Sequence, residues 1–81
     1  MNNLRVVLEF LASVTRNSSG DAWATGNVIS NGTNLSPPDI NDAISIAKSH
    51  EYVEVLKTLG TAPYDFQVVQ ITAQGRLWLN T

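Results

Sequence analysis

The side chains that could carry acid–base or metal chemistry are few in this chain, and their spacing assembles no site. His50 is the single histidine, and a catalytic dyad or metal site would need a partner such as Asp39, Asp42 or Glu51. Helical metal sites often place a histidine three residues after a glutamate, and the chain has no such pair. We favour a simpler interpretation of His50 as a residue at the C-terminal end of a helix, where positive charge is stabilised.

Patterns for nucleophilic catalysis and phosphate binding do not occur either. Asp21, Asp39 and Asp65 form no calcium-loop pattern, and the five glycines form no phosphate-binding motif. Serines and threonines are plentiful but lie in no recognisable nucleophile context. The chain has no cysteine, which excludes a disulfide framework, a thiolate nucleophile and a cysteine-ligated zinc site. We therefore predict that the protein is not an enzyme, binds no cofactor or metal, and has no small-molecule substrate.

Length and composition predict one small globular domain spanning residues 1–81. An apolar fraction of 43% is ordinary for a folded domain and too high for a disordered chain. Five lysines and arginines stand against seven acidic residues, so the formal net charge is −2. Because DNA affinity is built largely on cation–phosphate contacts, this balance lowers the expectation of DNA binding, although a local basic patch would suffice for it.

The sequence contains neither a signal-peptide pattern nor a membrane-spanning run. Arg5 and Glu9 interrupt the apolar residues near the N-terminus, which a signal peptide would keep continuous. No run approaches the roughly 18 consecutive apolar residues of a membrane span. We therefore expect a cytoplasmic protein with no membrane partner.

The first predicted element is an amphipathic helix. Its apolar residues recur at the spacing of one helical face: Leu4, Val7, Leu8, Leu11 and Val14. Asn2 or Asn3 is expected to cap its start. Val6 and Phe10 widen the apolar stripe beyond one face. The helix is either buried on two sides by its own domain or packed in part on a second subunit, and the sequence leaves both open.

A second, weaker helix is predicted from Thr25 to Asn31. Thr25 would cap it, and Val28 and Ile29 would face inward. The alternative is a β-hairpin centred on Asn31-Gly32. We prefer the helix because the polar residues of this stretch would make poor flanking strands. The backbone tolerance of Gly32 and Asn34 then predicts a tight turn after it.

A third helix has a strong start signal in Ser36-Pro37-Pro38-Asp39. Ser36 is a good N-cap, Pro37 suits the first helical position, and Asp39 complements the helix dipole. The apolar residues that follow predict an inward face made of Ile40, Ala43, Ile44 and Ala47. We expect this helix to extend over residues 36–50.

A β-hairpin and a closing helix complete the chain. Tyr52 to Leu59 is predicted as a strand with Val53 and Val55 on one face, and residues 66–71 as the return strand. Residues 60–65 would form the turn between them. Thr72 is then expected to cap a short helix whose apolar residues are Leu77, Trp78 and Leu79.

Three aromatic residues have more than one interpretation. Trp23 is expected to anchor the core near the entry to the second helix, and a very short extra strand near it is compatible with the sequence. Tyr64 either packs against the turn or forms an exposed contact, and we favour packing. Trp78 either belongs to the core or forms a dimer interface with the first helix, since aromatic residues are common interface anchors.

Three segments resemble a known family in their residues, order and spacing. Leu35–Ala43 resembles a turn followed by the start of a recognition helix, and Tyr52–Leu56 resembles a helix-to-strand junction. Ile71-Thr72-Ala73-Gln74-Gly75-Arg76 resembles the Leu-Thr-x-x-Gly-Arg segment that follows a β-hairpin wing. Together they resemble the winged helix-turn-helix superfamily from Ala24 to Leu79, most closely its small archaeal and bacterial proteins of uncharacterised function. The resemblance implies an α+β fold with a three-helix core, a two-stranded wing and a short C-terminal helix.

The resemblance implies a DNA-binding transcriptional regulator, often a homodimer, whose helix at about 36–50 enters the major groove. Its groove-facing positions here would include Pro38 and Asp42. The residues expected to bind double-stranded DNA are Ser36, Asn41, Ser45, Lys48 and Ser49, with Lys57 and Arg76 as phosphate contacts. Arg5 and Arg16 would extend such a patch. Asn41 is the best candidate base reader, because an amide pairs bidentately with adenine.

A second hypothesis is a protein-interaction or dimerisation module without DNA binding. Its candidate interface residues are Val6, Phe10, Ile46 and Trp78. The position of the cations decides between the two hypotheses. DNA binding gains if Lys48, Lys57 and Arg76 share a face with Asn41, and the interaction module gains if that face is neutral or acidic.

Overall fold

A computed structural model of the protein describes residues 3–17, 23–56 and 62–80. These residues form an α+β fold with four helices and a two-stranded antiparallel sheet. The elements in chain order are α1 (Asn3–Asn17), α2 (Gly26–Thr33), α3 (Pro37–Ser49), β1 (Val53–Leu56), β2 (Val68–Ile71) and α4 (Ala73–Leu79). The predicted order of three helices, two strands and a closing helix is confirmed.

Helix α1 contributes one apolar face to the core. Val7, Leu8 and Leu11 are fully buried, whereas Leu4 and Val14 at the ends of the stripe are half-buried. The helix contacts α2, α3, α4 and β2, so its apolar stripe lies at the centre of the fold. The spacing of the apolar residues therefore predicted the buried face of this helix correctly.

The stretch after residue 23 forms helix α2 and not a hairpin. The Thr25 side chain caps it by accepting a hydrogen bond from the Val28 amide at 3.2 Å. Asn34 ends the helix with a left-handed φ of 65°. The prediction that Val28 faces inward was wrong, because it is 45% exposed while its neighbour Ile29 is fully buried. Adjacent helical residues point about 100° apart, and in α2 the core lies on the side of Ile29.

Helix α3 starts and ends near the predicted residues. Its buried face consists of Ile40, Ala43, Ile44 and Ala47, as expected. Ser36 occupies the N-cap position but forms no capping bond, because its hydroxyl donates to the Asp39 carboxylate at 3.0 Å. The Ser36 hydroxyl therefore bonds to the Asp39 carboxylate and does not cap the first backbone amides of α3. His50 is the C-cap residue and stacks on Tyr52 with the ring centroids 5.2 Å apart.

The sheet is small and is extended by one isolated pair. Strands β1 and β2 pair with Val53 opposite Ile71 and Leu56 opposite Val68. Ala24 forms an antiparallel bridge to Val69 through two backbone hydrogen bonds of 2.8 and 2.9 Å. This bridge lies next to Trp23, where a very short strand was compatible with the sequence. Trp23 itself is half-buried, and Ala24 is the residue that enters the core.

Helix α4 closes against the start of the hairpin. The Thr72 hydroxyl accepts from the Gly75 amide at 3.1 Å, which confirms the predicted cap, and it donates to the Glu51 carbonyl at 2.8 Å. Gly75 is buried so close to the Tyr52 carbonyl that a Cβ atom would collide with that oxygen. The close approach needs glycine, because any side chain would push α4 away from the hairpin.

The remaining core consists of residues from both strands and from the segment before β2. Val53, Phe66, Val69 and Ile71 are buried among the helical residues. Tyr64 is also buried, and its ring covers Gly26 and tilts against Phe66 at 5.8 Å between centroids. Tyr64 therefore packs inward, as we favoured, although its partners lie in the core and not only in the turn.

Candidate α3 interaction surface

The side of α3 that points away from the core carries most of the candidate residues. Side chains three and four residues apart share one face of a helix. The side opposite the buried residues is therefore formed by Pro38, Asp42, Ser45 and Ser49, which are all exposed. We call these four residues the α3 outer face. The predicted recognition helix thus presents one acid, two hydroxyls and a proline, with no cation among the four.

A groove of about 90 Å³ lies beside this face, and we call it the α3 groove. Its polar lining consists of Asn41, Ser45, Lys48 and Asp65. Its apolar lining consists of Ile44, Val55 and Phe66. The groove thus separates α3 from the end of β1 and from residues 65–66, and its apolar lining is continuous with the core.

Asn41 ties α3 to the segment before β2. Its Nδ2 group donates to the Pro63 carbonyl at 3.0 Å, and its Oδ1 atom accepts from the Asp65 amide at 3.0 Å. Both ends of the amide are therefore engaged within the protein. The pairing of an amide with adenine uses the same two atoms together. Asn41 is thus a structural clamp here, and the role of base reader predicted for it would require these two bonds to break.

The charges around α3 are mainly negative. Asp39, Asp42 and Asp65 are exposed there, and Lys48 is the one cation that accompanies them in residues 36–49 and 62–66. Asp39 accepts the hydroxyl of Ser36. The part of the chain that the structure describes places no carboxylate within ion-pair distance of Lys48. Of the three cations named in the criterion, Lys48 lines the same groove as Asn41, whereas Lys57 lies outside the described residues.

The two remaining serines of α3 differ in availability. Ser45 is exposed on the rim of the α3 groove, and its hydroxyl forms no hydrogen bond within the part of the chain that the structure describes. Ser49 is exposed one turn later, and its hydroxyl donates to the Ile46 carbonyl at 2.8 Å. Such a bond within the last turn is common for serine. Ser45 is therefore the hydroxyl best placed to meet a ligand.

The other predicted cations do not join Lys48. Arg76 is exposed on α4 and does not line the α3 groove. Lys57 lies outside the described residues, and so does the side chain of Arg16. Arg5 is engaged at α4, where its guanidinium lies 5.4 Å from the Trp78 ring centroid and 3.8 Å from the Glu9 carboxylate.

The four predicted interface residues fall into two groups. Trp78 and Phe10 are half-buried by their own domain. Trp78 stacks on Tyr52 at 5.4 Å, and Phe10 covers Gly32. Val6 and Ile46 are exposed, at 42% and 48% of their surface. Val6 and Ile46 therefore expose a larger fraction of their surface than Phe10 and Trp78 do.

Sequence reasoning missed the residues outside α3 that complete the groove, namely Val55, Asp65 and Phe66. Val55 and Phe66 were assigned to strands and Asp65 to a turn, and no local signal indicates that they meet α3. The Asp65 backbone amide meets the Asn41 side chain only in the folded protein. Their pairing spans 24 residues and depends on the folded hairpin.

No protein-family model matches the chain, and the comparisons with curated proteins and with solved structures found no match either. Across residues 3–17, 23–56 and 62–80, no helix has the length and apolar character needed to cross a membrane. The same residues contain no cluster of three histidine or acidic side chains that could hold a metal ion. The surface around α3 is therefore judged on its own geometry.

Proposed function

We propose that the chain is a winged-helix domain whose α3 surface binds a protein partner. The observation that supports this most directly is the charge around α3, where three exposed carboxylates outnumber one amine. Phosphate groups would meet Asp39, Asp42 and Asp65 with Lys48 as the single cation among residues 36–49 and 62–66, and this excess of acids opposes association with DNA. A protein surface with basic and apolar residues would meet the same groups favourably.

The order and placement of the elements support the winged-helix part of the proposal. Helices α2 and α3 follow each other through a tight turn at Asn34, and the β1–β2 hairpin comes directly after α3. The bridge between Ala24 and Val69 adds a third strand position beside β2. This is the arrangement that the superfamily resemblance implies.

Asn41, a predicted DNA-binding residue, and Arg5, which would have extended the basic patch, both have partners inside the protein, which also favours a protein ligand. Asn41 uses both ends of its amide to hold the Pro63 carbonyl and the Asp65 amide. Arg5, on helix α1, lies against the Trp78 ring of α4 and beside the Glu9 carboxylate of its own helix. Breaking such bonds in order to contact DNA would offset part of the gain from the new contacts.

DNA binding is the second candidate, and the observation that favours it is the exposure of Ser45, Lys48 and Ser49 on the second helix of a helix-turn-helix. With Lys48, Lys57 and Arg76 as phosphate contacts, the logarithm of affinity would fall with the logarithm of salt with a slope of about −3. A basic regulator with six or more phosphate contacts would have a far steeper slope. Even as a DNA-binding protein, this domain would bind weakly.

The two candidates are separated by an NMR experiment on isotope-labelled protein. We would titrate it with random-sequence duplex DNA at low and moderate salt, and with peptides selected from a random display library. The proposal predicts that selected peptides shift signals from Asp42, Ser45 and Asp65, whereas the duplex leaves them unchanged. It is wrong if the duplex shifts Ser45 to Ser49 in a salt-dependent manner and no peptide maps to this surface.

A charge-reversed variant makes the test sharper. Replacing both Asp39 and Asp42 by lysine would turn the local excess of acids into an excess of bases. The variant should lose affinity for the selected peptides and gain affinity for the duplex, since both interactions depend on the sign of this surface. Glu9→Lys is the matched control, because Glu9 is an exposed acid on α1 and away from α3.

A further inference from the structure

Strand β1 forms an open edge of the small sheet. Its one partner strand is β2, and Ala24 pairs with Val69 on the far side of β2. The outer side of β2 is therefore covered at Val69, whereas no strand among the described residues pairs with the outer side of β1. An open strand edge presents a row of unpaired backbone N–H and C=O groups, which is a template for another strand.

The hydrogen bonds of the hairpin show which residues of β1 face that edge. The carbonyls of Tyr52 and Leu56 both accept bonds of 2.9 Å from amides on the β2 side of the hairpin. The direction of backbone bonding alternates along a strand, so Val53 and Val55 direct their N–H and C=O groups away from β2. The part of the chain that the structure describes supplies no hydrogen-bond partner for these four groups.

The side chains of β1 determine what an added strand would meet. Val53 is buried and Val55 is half-buried, so both lie on the face of the sheet that packs on the core. Glu54 and Leu56 lie on the opposite face and are exposed. One carboxylate oxygen of Glu54 accepts from the Gln70 side chain at 3.1 Å, and no cation in the described residues forms an ion pair with this carboxylate. The exposed face of the edge thus carries one acid and one apolar residue.

The charge of Glu54 disfavours a second copy of the chain at this edge. Two antiparallel β1 strands use all of their outward groups when Val53 of one copy lies opposite Val55 of the other. That register places the two Glu54 side chains opposite each other, at a position between hydrogen-bonded pairs where cross-strand side chains are closest. Like charges in this arrangement are destabilising, whereas opposite charges attract. The edge therefore suits a strand that has a cation at this position.

We infer that β1 binds an extended peptide segment, which joins the sheet as an additional antiparallel strand. The peptide backbone bonds to Val53 and Val55, a lysine or arginine lies opposite Glu54, and an apolar side chain lies opposite Leu56. The inference goes beyond the proposed function, because it names a second surface and a mode of binding through the backbone. Val55 also lines the α3 groove, so the two surfaces adjoin each other.

The test uses short synthetic peptides that are capped at both ends. The first has a central lysine, a threonine on each side of it and a valine beyond each threonine. The second has glutamate in place of the lysine. When lysine lies opposite Glu54, the threonine amides point toward β1 and the valine amides point away from it. A third peptide is therefore N-methylated at both threonines, and its matched control is N-methylated at both valines.

Binding is measured by NMR titration and by amide hydrogen exchange. In the free protein, the amides of Val53 and Val55 should exchange faster than the amide of Glu54, which faces β2. The lysine peptide should shift the signals of Val53 and Val55 and slow their exchange, because their N–H groups gain hydrogen bonds. Methylation at the threonines should abolish binding, and methylation at the valines should preserve it.

The choice of a cation opposite Glu54 is tested with the glutamate peptide and one protein variant. The glutamate peptide should bind at least about threefold more weakly than the lysine peptide. Glu54→Lys should reverse this preference. Glu9→Lys is the matched control and should leave the preference unchanged, because Glu9 is an exposed acid on α1. Circular dichroism confirms that both variants remain folded.

Three results would overturn the inference. Equal binding of the two methylated peptides would exclude pairing through the backbone. An unchanged preference in Glu54→Lys would exclude charge selection at this position. Protection of the Val53 and Val55 amides in the free protein, equal to that of Glu54, would mean that the edge is already covered.

Failure of this inference is distinguishable from failure of the proposed function, because the two are read from different signals. A lysine peptide that shifts Asp42, Ser45 and Asp65 but not Val53 would overturn strand addition and support the role of α3. If duplex DNA shifts α3 and no peptide does, the proposed function fails, while slowed exchange at Val53 and Val55 would still support strand addition.

Discussion

Removal of the Asn41 side chain tests whether this residue is a clamp within the fold. Asn41→Ala eliminates two hydrogen bonds of 3.0 Å, to the Pro63 carbonyl and from the Asp65 amide. Each such bond contributes about 0.5–1.5 kcal/mol, and partial exposure places these two toward the lower end. We therefore expect a loss of about 1–2 kcal/mol. Alanine gains roughly 0.5 kcal/mol in helix propensity over asparagine, which hides part of that loss.

The matched control removes this propensity gain from the comparison. Asp42→Ala changes the next residue of the same helix, gains a similar propensity and breaks no hydrogen bond that the structure contains. In urea unfolding followed by circular dichroism, Asn41→Ala should be less stable than Asp42→Ala by about 1–2 kcal/mol. The Asp65 amide should also exchange faster with solvent in the first variant only. Equal stability of the two variants, within about 0.3 kcal/mol, would refute the clamp.

Three other substitutions test local features of the fold by thermal or urea unfolding. Thr72→Ala should cost about 1–2 kcal/mol because it removes the cap of α4 and the bond to the Glu51 carbonyl, and Thr72→Ser should retain most of the stability. A Thr72→Ser variant as unstable as the alanine variant would contradict this. Gly75→Ala should destabilise by more than about 1 kcal/mol through collision with the Tyr52 carbonyl, although the same change stabilises an unobstructed helix. A neutral result would mean that α4 can move away from the hairpin. Asn34→Ala should cost about 1 kcal/mol at its left-handed φ, whereas Asn34→Gly should be neutral, and the reverse order would contradict the turn geometry.

The features that the sequence predicted well depend on neighbours within one helical turn. The caps at Thr25 and Thr72 and the left-handed turn at Asn34 each involve residues within four positions of one another. The buried faces of α1 and α3 follow from the spacing of apolar residues alone. Val28 was misplaced for a related reason. Helix α2 has only eight residues, and a stripe defined by two adjacent apolar positions does not fix which of them faces the core.

The features that the sequence did not predict depend on contacts between distant elements. Asn41 bonds to residues 22 and 24 positions away, and Arg5 reaches the Leu79 carbonyl across 74 positions. On sequence alone, each side chain seemed available for a ligand. Its intramolecular partner comes close only when the hairpin or α4 has folded. Ser36 forms no capping bond for a local reason. The Asp39 carboxylate, three residues away, competes for its hydroxyl.

These contacts change how the surface of α3 is judged, because an exposed polar residue is available to a ligand only after its internal bonds are counted. On sequence alone, Asn41 was the strongest reason to expect DNA recognition from this helix. In the folded chain, its amide holds the segment before β2 and shapes the α3 groove beside Ser45 and Lys48. The residue that was expected to read a base instead stabilises a pocket whose charged lining is Asp65 and Lys48. The same two hydrogen bonds would have to break before Asn41 could pair with adenine, and this cost counts against the DNA-binding hypothesis.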